Sequence, residues 1–211
     1  MQKSAKDIKI KPISSIDANK FVKIVHYSKS VVNNSVLHFG VFLNEKLNGV
    51  MQFGNPIDKR KVLPLVKNTS WNSMLELNRM AFNEILPRNS ESRALGIAFK
   101  IIKKNYPHID WILSFADGTQ CGDGTIYRAS GFYLIGIKKN STIHKLVNGD
   151  ILAKHGTSKI DFSGSKPLKG YQLRYIYFLK DNAKKNLTVP ILPFSKIKEL
   201  GASMYKGMRE L

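Results

Sequence analysis

A single cysteine, Cys121, stands in 211 residues. It leaves no partner for an internal disulfide and excludes zinc sites built from several thiolates. A reducing cytoplasm is the expected setting. Long apolar runs are missing too: none approaches the roughly 20 residues of a membrane-spanning helix, so no membrane partner is expected. Met1 to Lys11 is polar and lysine-rich, without the apolar stretch of a secretory signal. Above all the chain is poor in carboxylates: 15 Asp plus Glu stand against 34 Lys plus Arg, a formal net charge of +19. Such an excess repels itself in a compact state unless a polyanion balances it.

The basic residues do not form a tail. They are spread through Lys3–Lys11, Lys59–Lys61, Lys100–Lys104, Lys138–Lys145, Lys154–Lys169 and Lys180–Lys185. That distribution implies a basic surface on a folded body, suited to phosphate backbones. A lysine-rich surface kept for solubility is the competing reading.

Periodicity predicts a mixed chain. Ile8 to Ile13 reads as a strand and Ser15 to Tyr27 as a helix capped by Ser14 or Ser15. Val36–Leu43 and Leu47–Phe53 flank Asn44-Glu45-Lys46 as a hairpin. Residues 57–73 read as a loop or short helix, and Met74–Phe82 as a strand. A helix from about Glu91 to Asn105 places Ala94, Leu95, Ala98, Ile101 and Ile102 on one face. Trp111 to Ala116 is a continuous apolar run of strand length, expected at the centre of a sheet. Thr125–Ser130 reads as a short helix and Phe132–Ile137 as a strand. The basic stretch 138–168 reads as an insertion or long loop, Gly170–Leu179 as the last strand, and 180–211 as a C-terminal extension with a helix from Ser195. The expectation is one α/β (α+β) domain over residues 1–211, with a mostly antiparallel mixed sheet flanked by helices.

This order of elements resembles the GNAT acyltransferase fold, which implies splayed central strands. Tyr127-Arg128-Ala129-Ser130-Gly131-Phe132 is similar to that fold's Y-x-x-x-G-F, whose tyrosine often serves as general acid. The stretch Glu91 to Gly96, preceded by Arg88-Asn89-Ser90, corresponds to its pyrophosphate turn. The usual first basic residue is Glu91 here and the first glycine Ala94. That departure fits a donor whose phosphates approach differently, such as an aminoacyl-tRNA.

A more specific resemblance runs through roughly residues 20–207. It is carried by Glu76–Arg79, Arg88–Arg93, Ser114–Gly124, Arg174–Tyr177, Val189–Ser195 and Met204–Gly207. Together these resemble the bacteriophage Mom family. The resemblance implies a transferase that adds a carbamoylmethyl group to the exocyclic amine of adenine in phage DNA, shielding it from host restriction. It implies double-stranded DNA as partner, with the adenine flipped out of the stack, and the host cytoplasm as location. The donor stays open between an acyl-CoA-type molecule and an aminoacyl-tRNA (glycyl). Two alternatives remain: a GNAT-type N-acyltransferase acting on a small amine or protein, and a non-catalytic nucleic-acid-binding protein.

Candidate residues follow. Asp117 directly follows an apolar strand and can serve as general base or metal ligand; an Asp-Gly turn is the bland alternative. Tyr127 can donate a proton, or simply fill a half-buried place on a short helix. Arg79 within a strand is unexpected unless it pairs or binds an anion. Glu76 would face the other way in a regular strand, and a bulge could bring the two together. His26 ends the first helix, where a dipole interaction is the plain explanation; the Mom resemblance makes it a site candidate. With Asp117 it would offer ligands for iron or another divalent metal. Arg88, Asn89, Ser90, Ser92 and Arg93 form the phosphate-binding constellation. Lys169, Arg174 and Tyr175 are expected on nucleic acid. Cys121 lies in a glycine-flanked loop, where a covalent role competes with an inert one. His38 is expected to be structural, and His108, His144 and His155 to lie in loops without a visible partner.

Overall fold

A computed structural model describes residues 4–118, 122–154, 160–168, 170–202, 204–205 and 208–209. Twelve strands and six α-helices are assigned among them: β1 (Lys9–Pro12), α1 (Ser15–Val25), β2 (Ser35–Leu43), β3 (Lys46–Gly54), α2 (Lys59–Val62), β4 (Met74–Phe82), α3 (Ser90–Asn105), β5 (Trp111–Asp117), α4 (Thr125–Ala129), β6 (Tyr133–Asn140), β7 (Ile143–Lys145), β8 (Ile151–Ala153), β9 (Lys166–Pro167), β10 (Gly170–Phe178), α5 (Asp181–Lys185), α6 (Ser195–Glu199), β11 (Met204–Tyr205) and β12 (Met208–Arg209). Seven strands hydrogen bond in the order β1-β2-β3-β4-β5-β10-β6. The pairs from β1 to β4 are antiparallel and β4 runs parallel to β5, as expected of a mixed sheet. No helix among the described residues is long and apolar enough to cross a membrane.

Contacts divide the chain into two compact units. The first comprises residues 1–114, 129–132 and 176–189. Its β2–β3 hairpin closes on Asn44 and Glu45, both at positive φ (51° and 58°), the backbone a tight primed turn requires. Helix α1 starts at Ser14, whose hydroxyl accepts from the Asp17 amide at 3.1 Å. It buries Ala18 and Val22 against Val50 of β3 and Ala81 of β4; the two alanines let the helix backbone approach the sheet. Helix α3 buries Ala94, Leu95, Ala98, Phe99 and Ile102. Phe99 stacks on Tyr177 at 4.2 Å and meets Phe132 and Phe53 edge-on at 5.6 and 6.5 Å. Pairing of β4 with β5 covers Met74↔Trp111 to Glu76↔Leu113 and then ends.

The second unit comprises residues 115–128, 133–175 and 190–211. Here the amide of Gly118 donates to Tyr171 O at 2.7 Å. A Cβ at Gly118 would stand 2.6 Å from Ala202 O, so the Asp-Gly pair meets a close backbone approach rather than a free turn. The basic stretch differs from expectation: β7, β8 and β9 form a three-stranded antiparallel sheet inside it. Strands of two or three residues are too short to show alternation, which is why the sequence reads as loop. His144 of β7 has a partner after all, with Nδ1 2.9 Å from Ser165 Oγ. Strand β10 is not the last, since β11 and β12 pair after α6.

Phe99→Ala removes a ring from the centre of the first unit's aromatic cluster. It is expected to cost about 3–5 kcal/mol of unfolding free energy. Ile24→Ala, at a side chain that is 70% exposed, should stay within about 0.5 kcal/mol of the parent. Urea unfolding monitored by circular dichroism distinguishes the two.

Candidate active site

The core of the site is a bulge on β4. Gln52 of β3 pairs with Arg79, yet the next residue, Phe53, pairs with Leu77, so Asn78 is the extra residue. One inserted residue reverses the alternation of side chains beyond it. Glu76 and Arg79, three apart, thereby come under each other's electrostatic influence. A bulge, one way for Glu76 and Arg79 to meet, is present at this point of β4.

Asn78 is buried and holds the bulge open. Its Nδ2 donates to Glu76 Oε1 and to Asn55 O, both at 3.3 Å, and its Oδ1 accepts from Ser35 Oγ at 3.0 Å. Gly54, opposite Glu76, leaves room for this: a Cβ there would stand 2.7 Å from Asn78 Oδ1 and closer still to Asn34 O. Arg79 Nε donates to Ser30 O at 2.9 Å and Nη1 to Asn78 O at 2.8 Å. These bonds fix the guanidinium plane while leaving Nη2 without a partner among the described residues. Glu76 Oε2 is likewise unpartnered among them. Neither atom is among those sealed from solvent.

Burial, offset in part by the Asn78 amide and the Arg79 charge, pushes the Glu76 carboxyl up to about 7. Burial also lowers Arg79 from its ordinary value, against the opposing pull of Tyr27 and Glu76; a guanidinium still keeps its proton. His26 caps the C-terminus of α1 and is 9% exposed. Its Nδ1 accepts from the Ser28 amide at 3.1 Å and lies 2.8 Å from Ser28 Oγ, which leaves the ring proton on Nε2 when neutral. Burial, and then the Arg79 charge, lower its pKa to about 3. His26 is therefore a neutral imidazole whose ring sits 4.3 Å from that of Tyr27. A carboxyl near neutrality, a fixed guanidinium and a neutral imidazole form a polar constellation able to accept a proton and hold negative charge.

The phosphate constellation lies in the same unit. An open depression of about 710 Å³ is lined by Arg88, Asn89, Ser92, Arg93, Gly96 and Lys100, with Lys6 reaching it from the N-terminal segment. Asn89 stands at φ 70° before α3 and does not cap it with its side chain. The Glu91 and Ser92 amides have no backbone acceptor among the described residues, so the helix start offers unpaired donors. Ser90 points the other way: it is fully buried and its Oγ donates to Pro87 O at 2.6 Å.

Other expected site residues lie in the second unit. Asp117 ends β5. Tyr127, on α4, stacks on Tyr175 at 5.0 Å. Tyr175 is fully buried between Tyr127 and Phe194, and its hydroxyl donates to Asp123 O at 2.6 Å. Its faces are taken, so it is a core ring and not the expected platform for a base. Arg174 flanks Gly136, its guanidinium 3.2 Å from where a Cβ there would stand. Lys169 and Cys121 lie outside the described residues, as does His155. The metal reading finds no donor set: no three His, Cys, Asp or Glu side chains cluster among the described residues, and the Ser28 amide occupies Nδ1 of His26.

Solved structures share this architecture at low identity. An IAA acetyltransferase from Bacillus cereus matches with a TM-score of 0.52 at 12% identity, over 81% of this chain and 99% of its own. A Bacillus subtilis acetyltransferase solved with CoA matches at 0.50 and 14%, over 82% and 98%. The fold is that of the GNAT acetyltransferases. Within it, the model of the Mom protein family matches residues 7–196. The methylcarbamoylase Mom of Escherichia phage Mu is 35% identical over 199 residues, 89% of this chain and 82% of that protein. The chain belongs to the Mom protein family.

The Glu76 shift fixes a pH dependence of stability. Its folded pKa, about 7, lies above the ordinary value of 4.5. The unfolded chain therefore ionises first, and the folded state loses stability as pH rises from 4.5 to 7. Glu76→Gln should melt higher than the parent at pH 8, by up to about 3 kcal/mol in unfolding free energy. At pH 4 the two should differ little. His26 acts with the opposite sign: its folded pKa lies below its ordinary value of 6.5, so its contribution is lost on acidification below 6.5. Thermal melts of parent and Glu76→Gln at pH 4, 6 and 8 test this; a gain that is the same at every pH contradicts the assignment.

Proposed function

We propose that this protein transfers a carbamoylmethyl group to the exocyclic amine of adenine in double-stranded DNA, and thereby protects phage DNA from host restriction. The observation that carries the reading is the bulged Glu76–Asn78–Arg79 constellation in a chain of the Mom family bearing a net charge of +19. A small-amine or protein substrate leaves that charge without a purpose; a polyphosphate backbone gives it one.

The chemistry asks for a base. The adenine amine is a weak nucleophile, because its lone pair is delocalised into the ring, and in a duplex it is stacked and paired. An enzyme acting on it takes the base out of the stack at a cost of a few kcal/mol. The new bond joins the amine nitrogen to a methylene carbon; the bond from that carbon to the donor's leaving group breaks, the leaving group departs with the electron pair, and the amine gives up a proton. Glu76, divided between its two protonation states at neutral pH, is the acceptor in this reading. Arg79, held by Ser30 O and Asn78 O with Nη2 to spare, stabilises negative charge on the donor or the adenine ring. His26 is neutral and donates from Nε2. Asp117, at the end of β5, and Tyr127, on α4, are proposed separately as a base and an acid of the second unit.

The donor's phosphates belong at Arg88, Asn89, Ser92, Arg93 and Lys100, where the α3 amides open onto the depression. The Bacillus subtilis relative was solved with CoA, which supports an acyl-CoA-type donor. An aminoacyl-tRNA presents phosphates of the same chemistry to the same cations. A donor that carries an activated acyl group alone would leave an amide on the base, so the methylene link requires more than a plain acetyl transfer.

Expression in bacteria followed by mass spectrometry of nucleosides from plasmid DNA tests the reading. A heavier deoxyadenosine is expected. Arg79→Ala and Glu76→Gln should each lower its yield on the order of 100-fold, and Asp117→Ala reports on the second unit's part. Unmodified plasmid recovered alongside folded, soluble protein contradicts the function. Full modification by Glu76→Gln contradicts the assigned base.

A further inference from the structure

The connection from β3 to β4 presents a feature that the catalytic constellation does not use. Ile57 is 95% exposed, while its neighbours Pro56 and Lys59 are buried. Isolated exposed apolar side chains are common, but this one is held in place from both sides. The Asn55 amide donates to Asn34 O at 3.0 Å, and Asn34 Nδ2 returns a bond to Asn55 O. Lys59 Nζ donates to Asn55 Oδ1 at 2.7 Å and lies 5.1 Å over the ring of Trp71. Lys61 pairs with Asp58 at 2.9 Å. An apolar tip is thus fixed on a short, braced arch instead of swinging on a loop.

The arch is rooted in the candidate active site. Asn55 O accepts from the same Asn78 Nδ2 that donates to Glu76 Oε1. Ile57 follows two residues later, so it stands within roughly 7 Å of chain from that root. Arg60 and Lys61 are exposed beside it, and Lys67 and Trp71, which is 54% exposed, come from the same connection. An apolar tip flanked by cations and an aromatic ring matches the chemistry of DNA: phosphates for the cations, a base step for the tip.

We infer that the Asn55–Lys61 arch is a DNA wedge, in which Ile57 enters the base stack beside the target adenine while Arg60 and Lys61 hold the adjoining phosphates. The inference rests on DNA being the substrate. It assigns the energetic task that flipping imposes. Ile57 replaces the stacking that the departing base gives up, and the cations keep the opened step in register with Glu76.

The test uses purified full-length protein and needs no group donor. A set of short duplexes, each with 2-aminopurine in place of one adenine, reports unstacking by fluorescence. The parent is expected to raise the signal severalfold in at least one context. Ile57→Ser should bind the same duplexes within about twofold yet leave the signal near that of free DNA. Because the side chain is exposed, its melting temperature should match the parent. Arg60→Ala combined with Lys61→Ala should lower the slope of log affinity against log salt by about 2. Nucleosides of plasmid DNA from cells expressing each variant are measured in parallel. If Ile57→Ser unstacks the probe as the parent does, or the parent binds without any rise, the wedge is overturned while plasmid modification by the parent leaves the functional reading intact. If the parent neither binds duplex nor modifies plasmid, the functional reading falls and the wedge with it.

Discussion

The insertion of Asn78 into β4 is the constraint on which the rest of the site depends. A regular strand would send Glu76 and Arg79 to opposite faces of the sheet. The extra residue puts them in one field, and Asn78 itself satisfies the backbone and carboxyl groups that the irregularity exposes. Two charged groups are held partly buried without a direct ion pair between them among the described residues. That arrangement is poor for stability, since a buried charge is favourable only when paired and hydrogen-bonded. It is suited to a ligand that supplies the missing partners.

The charge of the chain follows the same logic on a larger scale. The ion pairs Lys9–Glu45 and Lys196–Glu199 are exposed at both ends and contribute little. With 15 Asp plus Glu against 34 Lys plus Arg, the chain cannot give every cation a carboxylate of its own. The excess therefore remains available to a polyanion, and its benefit is realised only on binding. The depression at α3 and the Asn55–Lys61 arch draw on the same surplus at two places in the first unit.

Much of this was legible in the residues. The Asn44-Glu45 turn, the apolar period of α3 and the run Trp111–Ala116 gave their elements within a residue or two, because turn chemistry and core periodicity act locally. A bulge is one way for Glu76 and Arg79 to meet, but no local signal says that it forms or which residue is extra; that is settled by pairing with β3. Asp117 stood out in the sequence because it ends an apolar strand, whereas Glu76 hid inside one. Its distinction is desolvation, and the signal that could have found it was a carboxylate at an interior strand position. Phe99 and Tyr175 show the same limit. Periodicity names a face, but only the packed structure shows that Phe99 centres an aromatic cluster and that both faces of Tyr175 are covered. Ile57 gave no sign at all, since nothing in Asn-Pro-Ile-Asp marks the isoleucine as exposed.

The electrostatics of Glu76 carry one further consequence. Its raised pKa is set chiefly by burial, with Asn78 and Arg79 pulling against it. A purine arriving at the site would remove more water and push the carboxyl higher still, making it a stronger base but a rarer carboxylate. Arg79 limits that loss, because its charge favours the ionised form and is felt more strongly as the surroundings become drier. The bonds from Arg79 to Ser30 O and Asn78 O hold the guanidinium in range of Glu76 without neutralising it, since carbonyl acceptors leave the charge intact. A carboxylate partner at the same place would have quenched it. The choice of backbone acceptors for Arg79 is thus what allows one residue to tune the base and still meet a ligand through Nη2.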